Sequence, residues 1–110
     1  MSTTTRIVLA LALAYAASVP ARAECVLPPA PSKIPDGNSA SEQEMLTAMQ
    51  TLKEYNSDVD TYTKCLDFEA KQNRMTKGEE ERLHNAAVDT LQKIAAKFNE
   101  QVRTFKAKAS

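Results

Sequence analysis

The sequence of 110 residues contains no tryptophan, three tyrosines, three phenylalanines, two glycines and one histidine. So small a stock of aromatic residues and glycine disfavours sheet and leaves the helix as the favoured element. The lone histidine, His84, has no serine or cysteine nucleophile near it in sequence. There is also no glycine-rich phosphate loop, no catalytic carboxylate pair and no nucleophile elbow. We therefore expect no catalysis and no cofactor. No Asn-x-Ser/Thr sequon occurs, which fits a bacterial envelope better than a eukaryotic secretory route.

A membrane-spanning run is missing as well. The one apolar stretch, Ile7 to Ala17, is too short to cross a bilayer comfortably and is followed by Pro20. With Arg6 before it and Ala21-Arg22-Ala23 after it, the stretch reads as a secretory signal peptide over residues 1–23. The residues before Cys25, Arg22-Ala23-Glu24, lack the small and aliphatic pattern that lipoprotein processing needs, so no lipid anchor is expected. Cleavage leaves about 87 residues, enough for one small domain. Without Arg6 and Arg22 the 14 lysines and arginines fall to 12, against 14 acids, and no basic excess points to nucleic acid.

Cysteine is scarce but even in number. Export would place Cys25 and Cys65 in an oxidising compartment, where two cysteines normally form a disulfide. A metal shell is the poorer reading, because two cysteines without a paired histidine cannot close a tetrahedron.

Residues 24–38 form a proline-rich arm, "ECVLPPAPSKIPDGN", and 39–110 a helical region. Ser41 with Glu44 makes a capping-box pattern. Apolar residues then recur at Met45, Ala48, Met49, Leu52, Tyr55, Val59, Tyr62 and Leu66, which predicts a helix over 41–74. The stripe lapses at "NRMTKGEEERL", where Thr76 and Glu79 form a second capping pattern. It resumes at His84, Ala87, Val88, Leu91, Ile94, Ala95, Phe98, Val102 and Phe105, predicting a helix over 77–107. One long dimerising helix, a coiled coil, is the alternative. The polar would-be seam at Asn73, Lys77 and Glu80, and Gly78 beside it, favour an antiparallel two-helix hairpin. Charge agrees: residues 39–69 hold seven acids against Lys53 and Lys64, whereas 92–110 hold five bases against Glu100.

The arm has the length to matter. From residue 41 to Cys65 a helix rises about 36 Å, and some thirteen residues in polyproline geometry reach about 40 Å. If Asp36-Gly37 turns the chain, the arm runs back along the first helix and brings Cys25 to Cys65. Val26, Leu27, the prolines and Ile34 would then pack into the inter-helix groove. The fold class expected is all-α: a hairpin with an extended arm along it, clasped by one disulfide.

"IPDG", "SEQEM" and "YTKCL" together resemble a group of short secreted proteins of Gram-negative bacteria, which share a proline-rich start, a Pro-Asp-Gly turn, a Glu-Met helix opening and a Tyr-x-x-Cys-Leu segment. The likeness covers about Cys25 to Glu69. It implies this layout and no catalytic residues.

Several residues could still carry a site. His84 and Glu80 lie one turn apart, as two metal ligands or as an ion pair, and Met45 and Met49 could ligate copper or fill the core. Tyr55, Tyr62, Phe98 and Phe105 are candidate interaction residues. The basic segment carrying Lys93, Lys97, Arg103, Lys106 and Lys108 could meet an acidic partner or an envelope surface. The reading reached is a periplasmic or secreted protein acting by binding a protein partner, with a homodimer open. The alternative is a carrier of a small ligand or copper.

Overall fold

The computed structural model describes residues 25–109, so the signal peptide expected over 1–23 lies outside the described residues. Two helices form, α1 (Glu42–Lys71) and α2 (Lys77–Ala109), with no strand among the described residues. They pack as an antiparallel hairpin, and Cys25 is bonded to Cys65 with their Cα atoms 5.6 Å apart.

The start of α1 is fixed by local polar groups. The Asp36 carbonyl accepts from the N–H groups of Ser39 (3.1 Å) and Ala40 (2.8 Å), and its carboxylate accepts from the Asn38 N–H (2.9 Å). Ser41 is the N-cap, its hydroxyl accepting from the Glu44 N–H at 3.1 Å. Ala40 before the cap and Met45 beyond it are buried in one cluster, so an apolar staple sets the angle at which the arm enters the helix. Thr76 does the capping for α2, accepting from the Glu79 N–H at 3.1 Å.

The first helix ends three residues before the expected 74. Asn73 takes a left-handed conformation, φ 58°. Its N–H bonds the Ala70 carbonyl while the Arg74 N–H bonds that of Glu69, which closes the helix as a Schellman motif. That reversal excludes the single continuous helix. It also replaces the usual apolar contact of such a motif with an ion pair, because Glu69 and Arg74 occupy the two positions that normally touch.

Two clusters make the core. Tyr55, Val59, Tyr62, Leu66 and Ala87 fill the half near the turn, with Leu66 the most enclosed at 1% exposure. Ala40, Met45 and Phe98 fill the open end, and Leu52 touches both groups. The arm completes each cluster: Cys25 packs on the first and Ile34 on the second. Between Ile34, Leu52, Ile94 and Phe98 about 20 Å³ remains, room for about one water.

Val26 and Leu27 do not enter the groove as expected. They are 77% and 61% exposed, because the disulfide fixes Cys25 on the flank of α1 and the chain dips into the groove only from Pro28, which is buried. Nor does charge pairing set the register. Among the described residues every ion pair lies within one helix or in the turn, none between α1 and α2. The crossing polar contact is instead the Gly37 N–H donating to Gln101 Oε1 at 2.8 Å.

Gly37 itself is buried against α2. A β-carbon there would collide with the Gln101 carbonyl oxygen, and would lie 2.9 Å from the Phe105 nitrogen and 3.0 Å from Thr104 Cβ. Its φ is not positive. Glycine is therefore required at this position by close approach of backbone to helix, which a reading of Asp36-Gly37 as turn chemistry does not reveal.

Candidate interaction surface

Two antiparallel helices leave a groove on each side of their contact line. The arm runs along one and leaves a cleft of about 310 Å³, with exposed Leu27 at its rim and Pro28, Pro29 and Ala30 lining it together with Tyr55 and Tyr62 of α1 and Ala86, Ala87 and Thr90 of α2. The other groove, about 490 Å³, is lined by Leu52, Lys53 and Asn56 of α1 and Leu91, Gln92 and Ala95 of α2, and no arm residue reaches it.

Helix geometry extends this open face. Met49, Lys53, Asn56 and Asp60 follow one another at three- and four-residue steps and so share one flank of α1, where Met49 is 39% exposed. On α2, Val88, Ala95 and Val102 recur every seventh residue and are half-buried. Beside them Asn85, Gln92 and Asn99 repeat at the same interval and are exposed. From His84 to Val102 this flank carries no acid and no lysine or arginine, although Asp89, Lys93, Lys97 and Glu100 crowd the opposite side of the same helix.

The candidate residues named from the sequence are placed unevenly. Tyr55 and Tyr62 are buried beneath the arm, and Phe98 is buried against Met45 and Ala40. Phe105 is half-buried beside the turn that holds Gly37. Burial pushes the Tyr55 phenol above its ordinary pKa, so the ring stays neutral in its groove. Met45 is core, Met49 is on the open face, and the two do not meet His84. Ala87, one turn beyond His84, packs near Leu66, which lies about 32 Å along α1 from Met45 at 1.5 Å per residue. Of the basic residues, Lys93 pairs with Asp89 at 2.9 Å on an exposed face, and Lys97, Arg103, Lys106 and Lys108 are exposed.

The sequence reading missed the neutral flank because it placed Val88, Ala95 and Val102 in one stripe facing α1; Val102 does pack there, on the cluster of Ala40, Met45 and Phe98, whereas Ala95 lines the open groove. The seven-residue repeat of amides beside them was the available signal. Three apolar positions per two turns suffice for one helix contact, and a wider stripe means a second surface to cover.

At the turn, the buried Glu69 carboxylate receives Arg74 Nε at 2.7 Å and Nη2 at 3.0 Å, and the guanidinium lies 5.5 Å from the Phe68 ring centroid. Arg74 holds the Glu69 carboxyl below its usual range, chiefly through these hydrogen bonds. The pair has the geometry of a structural lock. Among the described residues no cluster of three or more His, Cys, Asp or Glu side chains forms, and no helix is long and apolar enough to cross a membrane.

No family model, curated protein or solved structure significantly matches this chain.

Proposed function

We propose that the chain is an exported protein of the bacterial envelope that acts by binding a protein partner through the open inter-helix groove, without catalysis. The observation that carries this is the asymmetry of the two grooves: the clasped arm narrows one to a cleft of about 310 Å³, while among the described residues nothing covers the other, about 490 Å³ and lined by Leu52, Leu91 and Ala95. Apolar surface left between packed helices is a recurrent mark of an interaction site. Export is supported by the signal-peptide pattern of residues 1–23 and by the disulfide, which persists in oxidising compartments. The likeness of "IPDG", "SEQEM" and "YTKCL" to short secreted Gram-negative proteins points the same way.

The test is photo-crosslinking in cells that export the chain. A photoreactive residue at Gln92, in the open groove, should yield a discrete protein adduct in the periplasmic fraction. The same group at Thr61, on the exposed side of α1, should not. Equal labelling from both positions, or none from Gln92, would overturn the proposal, as would recovery of the chain in the cytoplasm with residues 1–23 intact.

A further inference from the structure

We infer that the occupant of the open groove is a second copy of this chain, docked antiparallel about a two-fold axis that passes Ala95. This inference rests on the reading of the open groove as the binding surface and adds the identity of the partner.

The α2 flank is nearly symmetric about Ala95. Val88 lies seven residues before it and Val102 seven after, while Gln92 and Asn99 lie three before and four after. Antiparallel pairing therefore sets Val88 against Val102 of the partner subunit and Gln92 against Asn99 of the partner subunit, with the smallest side chain at the crossing. Two primary amides facing each other can each donate and accept, so the contact satisfies itself. A flank without charge is needed for such pairing, because any charge close to the axis would meet its own copy.

Helix α1 fits the same operation. Asn56 lies in the groove beside Gln92 and Ala95, and Lys53 and Asp60 straddle it on the shared flank. Rotation about the two-fold axis near Asn56 brings Lys53 towards Asp60 of the partner subunit, twice per dimer, where it would join the exposed pair that Asp60 makes with Lys64 at 2.8 Å. Among the described residues Lys53 has no carboxylate within ion-pair distance in its own chain.

The area is sufficient. From His84 to Lys106 the flank is about 33 Å long, and two helices side by side are about 20 Å wide. That gives roughly 650 Å² per copy and about 1,300 Å² in total, at the lower end of what specific complexes bury. A reversible dimer is expected.

Sedimentation equilibrium on the exported, oxidised chain up to about 200 µM should show a mass rising towards twice that of the chain, as expected for an interface of this size. Gln92→Glu with Asn99→Glu sets like charges across the axis and should weaken association at least tenfold. Gln92→Glu with Asn99→Lys sets opposite charges there and should restore it. Gln92 and Asn99 are both exposed, so the circular dichroism melt reports that the hairpin itself is intact. Ala95→Cys should oxidise to a covalent dimer, whereas Ala96→Cys, on the charged side, should not. Val88→Cys and Val102→Cys should crosslink to each other when mixed and neither to itself. A monomer throughout the concentration range, or equal crosslinking at 95 and 96, would overturn the inference. If Gln92 still yields adducts to another protein, the binding reading stands and only the second copy is lost. Failure of both sets of crosslinks removes both.

Discussion

Arg74 closes a bidentate ion pair onto the buried carboxylate of Glu69, across the two residues whose backbones seal the end of α1. The side-chain and backbone contacts are made by the same pair, so the turn and the charge stabilise each other.

Acid should therefore open this turn. The Glu69 carboxyl is held below its ordinary value of 4.5, so its contribution is complete above about that pH and is lost as pH falls through the lower folded value. Glu69→Gln should melt below the native protein at pH 7. The two melting curves should converge as the pH falls from that ordinary value through the lower folded one. A constant gap between them at all pH values would show that the pair contributes through shape alone.

The two glycines should respond oppositely to alanine. Gly37→Ala drives a methyl group into α2 and displaces the arm, at a cost of about 2 kcal/mol or more. At Gly78 nothing lies within 4 Å, and alanine should add about 0.5 kcal/mol by favouring the helix. Denaturant midpoints of the two variants decide this.

Asn73 bears a left-handed conformation that glycine adopts without strain. Asn73→Gly should raise stability by a few tenths of a kcal/mol, and Asn73→Val should lower it by about 1–2 kcal/mol. Thermal melts monitored by circular dichroism would separate them.

Removing the clasp with Cys25→Ser and Cys65→Ser should cost up to about 4 kcal/mol, the chain-entropy estimate for the loop of 40 residues that the bond closes. The tyrosines report the consequence. Tyr55 and Tyr62, buried under the arm, should become accessible to acrylamide quenching before the helices melt.

Much of this fold was legible in the sequence, for identifiable reasons. The helices follow from apolar spacing, the caps from Ser41 and Thr76, and the path of the arm from matching its extended length to the rise of α1. The end of α1 was not, because Asn73 in a left-handed closure looks like any polar residue in a helix. The role of Gly37 was hidden too: its contact with Gln101 spans 64 positions and leaves no local pattern. Tyr55, Tyr62 and Phe98, candidate interaction residues by sequence, lie inside because they are the larger side chains, and in a thin domain the largest apolar groups are needed in the core. Val88 and Ala95 are small and share the periodicity of Val102, which does pack on the core, so the stripe did not separate them.

The arm forms a third layer against the hairpin, with Cys25 on one cluster and Ile34 on the other. Nuclear Overhauser spectroscopy on the oxidised chain tests this most directly. It should show cross-peaks between Ile34 methyl protons and the Phe98 ring, and between Pro28 and the rings of Tyr55 and Tyr62. Random-coil shifts along residues 26–36 and no such cross-peaks, with the disulfide intact, would contradict it.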